Sequence, residues 1–315
     1  MSAILPHSPV LYHEIINVLQ PRSGGRYADC TLGAGGHAWG ILKSSSPDGR
    51  LLGLDVDPQA IDLARESLSQ FSSRIHLVRA SYITLAEQIS RLEWRGVDGV
   101  LLDLGVSSMQ LDSPGRGFSF RVSEPLDMRF DPGNPVSAVD LVNSLSENEL
   151  ADLIYHYGEE RMAWQVARAI IQSRPILTTD RLAQVVSRAV QRGDKSGSRP
   201  GKIDPATRTF QALRIAVNHE LDALTQALPL AIRVLLPGGR LAVISFHSLE
   251  DRLVKHFFRQ ESRDCVCPPR QPVCTCGHRA TIREITPRPI RPQPAEIHQN
   301  PRSRSARLRV VERLI

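Results

Sequence analysis

The chain has 315 residues, 41% of them hydrophobic, and a formal net charge of +6. This length and composition allow a large core, which excludes disorder of the whole chain. No apolar run reaches the roughly 20 residues that a membrane span needs, and the N-terminus lacks a charged segment followed by an apolar one. Five cysteines are an odd number and do not fit a secreted disulfide framework. We therefore expect a soluble, cytoplasmic protein.

Short β-branched or leucine-rich runs alternate with helical patterns in the first third of the chain. The runs predict four strands, at Arg26–Thr31, Arg50–Asp55, Arg74–Ala80 and Val97–Leu104. Helical patterns follow the first three of them. This alternation indicates an α/β fold with a parallel sheet covered by helices.

The alternation stops after the fourth predicted strand. A loop rich in proline and glycine starts near Asp112, and helices are predicted at Glu147–Tyr157 and Met162–Ser173. The stretch 192–201 has the composition of a flexible segment. We interpret this block as a helical insert. The predicted division of the chain has three parts, 1–111, 112–204 and 205–315.

The strand pattern resumes after the insert. A long helix is predicted from about Pro205 to Leu236, and a strand at Arg240–Phe246. The residues Leu-Pro-Gly-Gly at 236–239 supply the stop and the turn between them. At the end of the chain, Ala306–Leu314 fits a last strand and the Pro/Arg-rich 286–294 an extended linker.

Positive charge is concentrated near the C-terminus. Residues 279–315 contain nine arginines and only three glutamates. Arginine matches the geometry of phosphate well, so this basic tail is a candidate contact for nucleic acid. A merely solvated basic end has the same composition.

A glycine-rich turn follows the first predicted strand, with glycines at 33, 35 and 36. Glycine lets a ligand approach the backbone closely, although a tight turn without a ligand has the same pattern. The spacing does not fit the dinucleotide motif G-x-G-x-x-G, because position 38 is alanine. A nicotinamide cofactor is therefore disfavoured.

The segments around this turn resemble the S-adenosylmethionine site of Rossmann-like methyltransferases. Asp29 and Thr31 precede the glycines, and Asp55 ends the second predicted strand, where a carboxylate suits the ribose hydroxyls. Asp57 fits better as a helix N-cap. Tyr82 follows the third strand, where this class contacts adenine.

At a finer level the chain is similar to the MraW/RsmH family of bacterial 16S rRNA (cytosine-N4)-methyltransferases. The motifs that carry this resemblance run from end to end: His7–Leu11, Thr31–His37, Leu102–Ser108, Gly115–Phe120, Pro125–Arg129, Ala206–Asn218, Ser245–Asp251 and Asn300–Arg307. The resemblance implies a Rossmann-like S-adenosylmethionine-dependent methyltransferase sheet with an inserted helical domain for substrate recognition. The implied target is a cytosine in the decoding region of 16S rRNA within the small ribosomal subunit, with no DNA and no membrane as partner.

The resemblance also implies a set of site residues. The cofactor contacts fall on Gly35, Gly36, His37, Asp55, Tyr82, Asp103 and Gln110. Asp103 is in addition the candidate catalytic residue, and no metal is expected at this site. The chain departs from the family pattern at Tyr82, where phenylalanine is expected, and at Met109, where proline is expected. A methyltransferase for another RNA position, a protein or a small molecule is the alternative.

Some of these positions also fit a purely structural role. His37 fits packing or capping, and Gln110 fits a plain loop position. Three aromatic residues of the insert fit either its core or base stacking: Phe118, Phe120 and Phe130. Three polar residues follow the fifth predicted strand on the side where open α/β sheets bind ligands: His247, Glu250 and Asp251. Ser248 and Glu250 also fit the start of a helix.

Two further segments are open to interpretation. The loop Gly115–Asp131 is hinged by glycine and is a candidate lid over the target base. It carries three arginines, Arg116, Arg121 and Arg129. Four of the five cysteines lie at 265, 267, 274 and 276, in two C-x-C pairs that are tighter than the usual C-x-x-C zinc motif. Zinc ligands, surface thiols and a redox-labile hairpin all fit this pattern.

Overall fold

A computed structural model describes residues 9–193, 204–268, 271 and 273–315. The chain divides into two compact units, one of Met1–Gly105 with Leu221–Ile315 and one of Val106–Glu220. Most of the predicted flexible stretch 192–201 lies outside the described residues, as do His7 and Ser8 of the first family motif. No helix in the described ranges is both long and apolar enough to cross a membrane.

The first unit is built on a seven-stranded sheet. Its strands are β1 (Arg26–Asp29), β2 (Arg50–Asp55), β3 (Ile75–Arg79), β4 (Val97–Asp103), β5 (Leu235–Ser245), β6 (Ile282–Glu284) and β7 (Arg307–Arg313). They are ordered β3-β2-β1-β4-β5-β7-β6. The first five are parallel, and β7 runs antiparallel to its neighbours β5 and β6. The predicted Rossmann-like α/β fold is confirmed.

The helices, in chain order, are α1 (Tyr12–Leu19), α2 (Gly36–Ser44), α3 (Pro58–Ser67), α4 (Leu85–Arg91), α5 (Ser108–Asp112), α6 (Ala138–Ser144), α7 (Glu147–Gly158), α8 (Ala163–Gln172), α9 (Thr179–Gly193), α10 (Ala206–Asn218), α11 (Glu220–Val234), α12 (Ser248–Glu261) and α13 (Pro294–Gln299). The two helices predicted in the insert correspond to α7 and α8, and each observed end lies within one residue of the predicted one. The chain between β4 and β5 holds helices α5 to α11 and no described strand.

The sheet is buried on both faces, which explains its nearly continuous apolar strands. In β4, Val100 and Leu102 belong to one hydrophobic cluster and Leu101 to another. Successive side chains of a strand point to opposite faces, so each cluster fills one side of the sheet. With both faces filled, the carboxyl ends of the parallel strands remain as the place for a ligand.

Three predicted elements differ from the structure in more than the position of their ends. The long helix is broken at His219, which has a φ of 50° between α10 and α11. The turn at 236–239 lies inside β5, because Leu235 already pairs with Val97 and pairing resumes between Arg240 and Gly99. The predicted linker forms one bridge to the sheet, between Ile290 and Leu308. The predicted strands β1, β3, β4 and β7 are shorter by one to two residues.

The second unit, Val106–Glu220, has its own hydrophobic core formed by helices α6 to α10. The rings of Phe118 and Phe130 stack at 5.5 Å, and Phe120 contacts Phe210 edge to face at 4.8 Å. Phe118 and Phe120 are partly buried against this core. These aromatic residues therefore pack in the second unit, as the core interpretation predicted, and their rings contact one another or Phe210.

The candidate lid Gly115–Asp131 is anchored within the same unit. Arg129 forms a two-pronged ion pair with Asp127, and Arg116 donates to the carbonyl oxygens of Arg129 and Phe130. The backbone N–H of Leu126 donates to the carbonyl of Leu177 at 3.0 Å. These contacts hold the loop against other parts of its own unit. Of its three arginines, Arg121 is the exposed one.

Candidate active site

The turn after β1 is shaped by two glycines in the left-handed region, Gly33 at φ 52° and Gly35 at φ 84°. A Cβ added to Gly33 would meet no atom within 4 Å, so open space lies beside the backbone there. A Cβ on Gly35 would lie 3.0 Å from Ser67 Oγ, and one on Gly36 would lie 2.5 Å from Pro9 Cγ. Gly35 and Gly36 therefore allow close packing, and Gly33 borders the open space.

The carboxylate of Asp55 is fixed at the end of β2 by two backbone groups. Its Oδ2 accepts from the N–H of Gly33 at 2.9 Å, and its Oδ1 accepts from the N–H of Asp57 at 2.9 Å. Burial raises the pKa of Asp55, while these two hydrogen bonds lower it. Asp57 caps α3 through the N–H of Gln59, as predicted. The glycine turn and the end of β2 are thus held together.

Asp103, at the end of β4, meets the first turn of α2. Its Oδ2 lies 3.6 Å from Nε2 of His37, and its backbone N–H donates to Oγ1 of Thr31 at 2.6 Å. His37 is 5% exposed and stacks on Tyr12 with ring centroids 6.3 Å apart. Among the described residues, neither ring nitrogen of His37 nor Oδ1 of Asp103 has a hydrogen-bond partner. Polar atoms left in this state point to a ligand that satisfies them.

Asp29 is a fourth polar group at this edge, at the end of β1. Its side chain is buried, with 1% exposure, and Oδ1 accepts from the N–H of Thr31 at 3.2 Å. Burial raises the pKa of Asp29 to about 7; His37 and the Thr31 N–H lower it, and Asp103 and Asp55 raise it further. Three carboxyl groups therefore converge where a cationic ligand would be favoured.

A family model described as the MraW methylase family matches residues 4–314. The chain belongs to the MraW methylase family. A relative from Thermomicrobium roseum, named Ribosomal RNA small subunit methyltransferase H, is 51% identical over 98% of this chain and 94% of its own. A relative of the same name from Dehalococcoides mccartyi is 52% identical over 98% of this chain and 87% of its own. The resemblance stated from the motifs is thereby confirmed.

Solved structures are more distant from this MraW methylase. An rRNA methylase from Streptococcus thermophilus is 11% identical, covers 99% of this chain and 100% of its own, and gives a TM-score of 0.42. A likeness of that size carries no argument about the site.

The remaining predicted site residues occupy different parts of this MraW methylase. Tyr82 lies in a short turn after β3 and packs against the core beside the carboxyl edge. Gln110 belongs to the Val106–Glu220 unit. Its Oε1 accepts from the N–H of Ser107 at 3.0 Å, and Ser107 Oγ accepts from its N–H at 3.2 Å, a capping box at the start of α5. Gln110 therefore caps α5, and its predicted contact with the cofactor stays a prediction.

The residues after β5 in this MraW methylase start a helix. His247 and Glu250 form a capping box at the start of α12, with Glu250 Oε2 accepting from the N–H of Phe246 at 2.8 Å. Asp251 binds two arginines of β7, Arg309 at 2.7 Å and Arg307 at 2.8 Å. Burial acts to raise the pKa of Asp251, but its hydrogen bonds to these arginines hold it below the usual value. The helix-start interpretation is thus correct for Ser248 and Glu250, whereas Asp251 joins α12 to β7.

The basic C-terminal segment is ordered in this family member. Arg309 is buried beside Asp251, and β7 lies between β5 and β6. Arg304 and Arg291 are exposed and line a cavity of about 320 Å³ with Arg307 and the start of α12 at His247 and Ser248. Arginines around the N-terminus of a helix form a natural anion site. The basic tail therefore contains strand β7 and several residues that line a basic cavity.

Two features of the site were not predicted from the sequence. Asp29 was recognised only as part of the motif around the glycine turn, whereas in the structure its carboxyl group is buried and has a strongly raised pKa. The contribution of Arg291, which lies in the segment interpreted as a linker, was not predicted either. The signal available for Asp29 was its position as the last residue of a buried strand, where an acidic side chain is unusual.

Proposed function

We propose that the protein transfers a methyl group from S-adenosyl-L-methionine to N4 of a cytosine in the decoding region of 16S rRNA. The full-length match to relatives named Ribosomal RNA small subunit methyltransferase H carries this proposal. The substrate is the rRNA of the small subunit, and the protein acts in the cytoplasm, where ribosomal subunits are assembled. The cytosine and its N4 position come from the family motifs.

The carboxyl edge of the sheet fits the cofactor. Asp55 suits the ribose diol, because its carboxylate stands at the tip of β2. Tyr82 offers an aromatic face for the adenine. The open side of Gly33 gives the cofactor close access to the backbone. The cofactor supplies a methyl group activated on a positively charged sulfur.

The acidic residues at this edge suit the positive charge of the same ligand. Asp29 is close enough to His37 and Asp103 for both to shift its pKa, and Asp103 Oδ1 has no hydrogen-bond partner among the described residues. An ammonium or an amine that donates to this oxygen satisfies it. We assign His37 to the cofactor together with Asp103, because neither of its ring nitrogens has a hydrogen-bond partner among the described residues. Gly35 and Gly36 act by letting the turn pack closely enough for this arrangement.

Asp103 also has a role in the transfer itself. The lone pair of an exocyclic cytosine amine is delocalised into the ring, so the amine is a poor nucleophile. A carboxylate that accepts from the amine N–H draws the lone pair out of conjugation and stabilises the positive charge that develops on N4. During the transfer the carbon–sulfur bond breaks, the N4–carbon bond forms, and one proton leaves N4 for solvent.

The basic cavity of Arg291, Arg304 and Arg307 is our candidate for an rRNA phosphate. Its arginines and the N-terminus of α12 favour an anion. Such contacts position an RNA without reading its sequence. Recognition of the substrate is then left to residues 112–204, in which Arg121 is the exposed arginine of the loop Gly115–Asp131.

One experiment tests the proposal directly. Small subunits from cells that lack this activity are incubated with the protein and S-adenosylmethionine carrying an isotope-labelled methyl group. The rRNA is digested to nucleosides, and mass spectrometry locates the label. Labelled N4-methylcytidine from a decoding-region fragment supports the proposal. A label on carbon 5, on the ribose or on adenine contradicts it, and a label on ribosomal protein favours the alternative substrate class.

A further inference from the structure

The segment between α12 and β6 contains four of the five cysteines, and we call residues 265–276 the cysteine loop. The structure describes 265–268, 271 and 273–276 of it. Its two ends are tied together by the stem around it. The N–H of Thr281 donates to the carbonyl of Glu261 at 2.9 Å, and the N–H of Ala280 donates to Oδ1 of Asp264 at 3.1 Å. The loop therefore projects from a closed stem at the edge of the sheet.

The four sulfur atoms of the loop converge on one point. All of them lie within 4.8 Å of one another. Cys276 Sγ lies 3.6 Å from Cys274 Sγ and 3.9 Å from Cys265 Sγ. A tetrahedron with zinc–sulfur bonds of about 2.3 Å has edges of about 3.8 Å. The separations of 3.6 Å and 3.9 Å match these edges and are much longer than a disulfide bond of about 2.05 Å.

The spacing of the two C-x-C pairs is compatible with a metal site once the loop is folded. A C-x-C pair is tighter than the common C-x-x-C motif, so each pair alone makes a poor chelate. Here the loop folds back so that Cys276 lies against Cys265 from the other pair as well as against Cys274. The site is built across the loop, which the sequence spacing could not indicate.

Backbone amides are already directed at the sulfur atoms. The N–H of Val266, in the first pair, is directed at the sulfur of Cys276 in the second. The N–H groups of Thr275 and Cys276, in the second pair, are directed at the sulfur of Cys267 in the first. Groups that orient and hydrogen-bond the ligand atoms are typical of metal sites.

His278 does not complete the site in place of a cysteine. Its Nδ1 lies 2.8 Å from the carbonyl oxygen of Arg263, and its Nε2 lies 3.7 Å from a carboxylate oxygen of Glu261. Both ring nitrogens are therefore directed at the stem. The four cysteines form a complete set without it, which is the closed arrangement of a structural metal site.

The described residues of the cysteine loop form no apolar core. No described residue between 263 and 280 is buried, and Val266 and Val273 are 40% and 69% exposed. A segment of this length without an apolar core needs a covalent or metal crosslink to keep one conformation. Converging thiols supply the ligands for such a crosslink.

We propose that the four cysteines of the loop bind one Zn²⁺ in a closed tetrahedral site. Each thiol releases its proton to solvent as its sulfur binds the metal, and the bound site carries a net charge of −2. The metal's role is structural, because no coordination position remains for water or substrate. The site is separate from the methyl-transfer edge and holds whether or not the proposed rRNA target is correct.

Metal analysis of the full chain tests this proposal. The protein is purified without chelator, given zinc and freed of excess, and we expect one equivalent of zinc per chain. The double variant Cys265→Ser/Cys276→Ser should retain less than a tenth of an equivalent. The matched control Cys30→Ala removes the buried fifth cysteine, which lies in the core of the sheet, and should keep the full equivalent.

Two further measurements keep the test decisive if the double variant folds poorly. Replacing zinc by Co²⁺ in the wild-type chain should produce the absorption bands of tetrahedral thiolate coordination. Removing the metal by chelation should speed tryptic cleavage within 263–279 and leave the rest of the chain resistant. Well under one equivalent of zinc, iron in its place, or two disulfides found by mass spectrometry after alkylation would each overturn the proposal.

Discussion

Oδ2 of Asp103 lies 3.6 Å from Nε2 of His37, where the end of β4 meets the first turn of α2. The contact joins two segments that are 66 positions apart in the chain and that both follow parallel strands. His37 lies beside one oxygen of the carboxylate, and the other oxygen, Oδ1, has no hydrogen-bond partner among the described residues. This arrangement makes Asp103 the residue on which the proposed reaction depends most.

Asp103→Asn should lower turnover by about a hundredfold at saturating cofactor and RNA, because the amide no longer stabilises positive charge on N4. Single-turnover kinetics with isolated small subunits measures this. Asp98→Asn is the matched control, since Asp98 lies at the other end of β4 and pairs with Arg22 at 2.6 Å. Full turnover of Asp103→Asn would exclude Asp103 from the chemical step.

Asp55→Ala should weaken S-adenosylmethionine binding by at least tenfold. In the proposed binding mode the change removes two charge-assisted hydrogen bonds to the ribose, each worth about 1.5–3 kcal/mol. Because it also removes the acceptor for the Gly33 N–H, Asp55→Asn serves as a variant of nearly unchanged shape. Isothermal titration gives the dissociation constants, with the exposed Asp62→Ala on α3 as control. Wild-type affinity in both Asp55 variants would locate the ribose elsewhere.

Asp29 should make the ligand-free protein less stable as the pH rises. Its pKa in the folded protein is about 7, above the usual 3.8. The protonated form is therefore favoured by folding, and its contribution is complete below pH 3.8 and lost as the pH rises through 7. Between pH 5 and pH 8 this loss is about 2–3 kcal/mol in the free energy of unfolding.

Asp29→Asn is the variant that isolates this effect, since an amide does not titrate and still offers an acceptor to the Thr31 N–H. Urea unfolding of both proteins across this pH range should show the stability of the variant relative to wild type increasing towards pH 8. A constant difference between the two would mean that Asp29 is ionised throughout.

Replacing Arg291 and Arg304 by Gln should weaken binding of the small subunit and leave cofactor affinity unchanged. Each phosphate contact contributes about one unit to the slope of log affinity against log salt, so the double variant should lower the slope by about one to two units. Filter binding at several salt concentrations measures it. The control is Arg65→Gln with Arg91→Gln, two exposed arginines outside both the cavity and residues 112–204. If both double variants showed the same slope of log affinity against log salt, the cavity would not be a contact for an rRNA phosphate.

The sequence predicted most of the sheet because buried parallel strands have a local signature. β2 was predicted at its observed bounds, and β4 within one residue. The break at His219 was missed because nothing local marks it: the residue is not glycine, yet it adopts a φ of 50°. β6 was missed because three residues, Ile282–Glu284, are too few for a pattern.

The site was predictable in part. Glycines and aspartates at the ends of strands identified the edge of the sheet, since this depends on chain order alone. The capping box of Ser107 and Gln110 is a local pattern already present in the sequence, whereas the burial of Asp29 depends on neighbours that only the folded chain brings together. The convergence of the cysteines is of the same kind, because the spacing of two C-x-C pairs does not reveal how the loop between them folds.

The order of strands in the sheet has a consequence during translation. β4 lies between β1 and β5, but β5 begins roughly 130 residues after β4 ends, an interval on the order of ten seconds of synthesis. In the nascent chain β4 is therefore an unpaired apolar edge, the feature that favours aggregation. Chains arrested on the ribosome before Leu235 should recruit chaperones through Val97–Asp103, and chains extended past Arg313 should not.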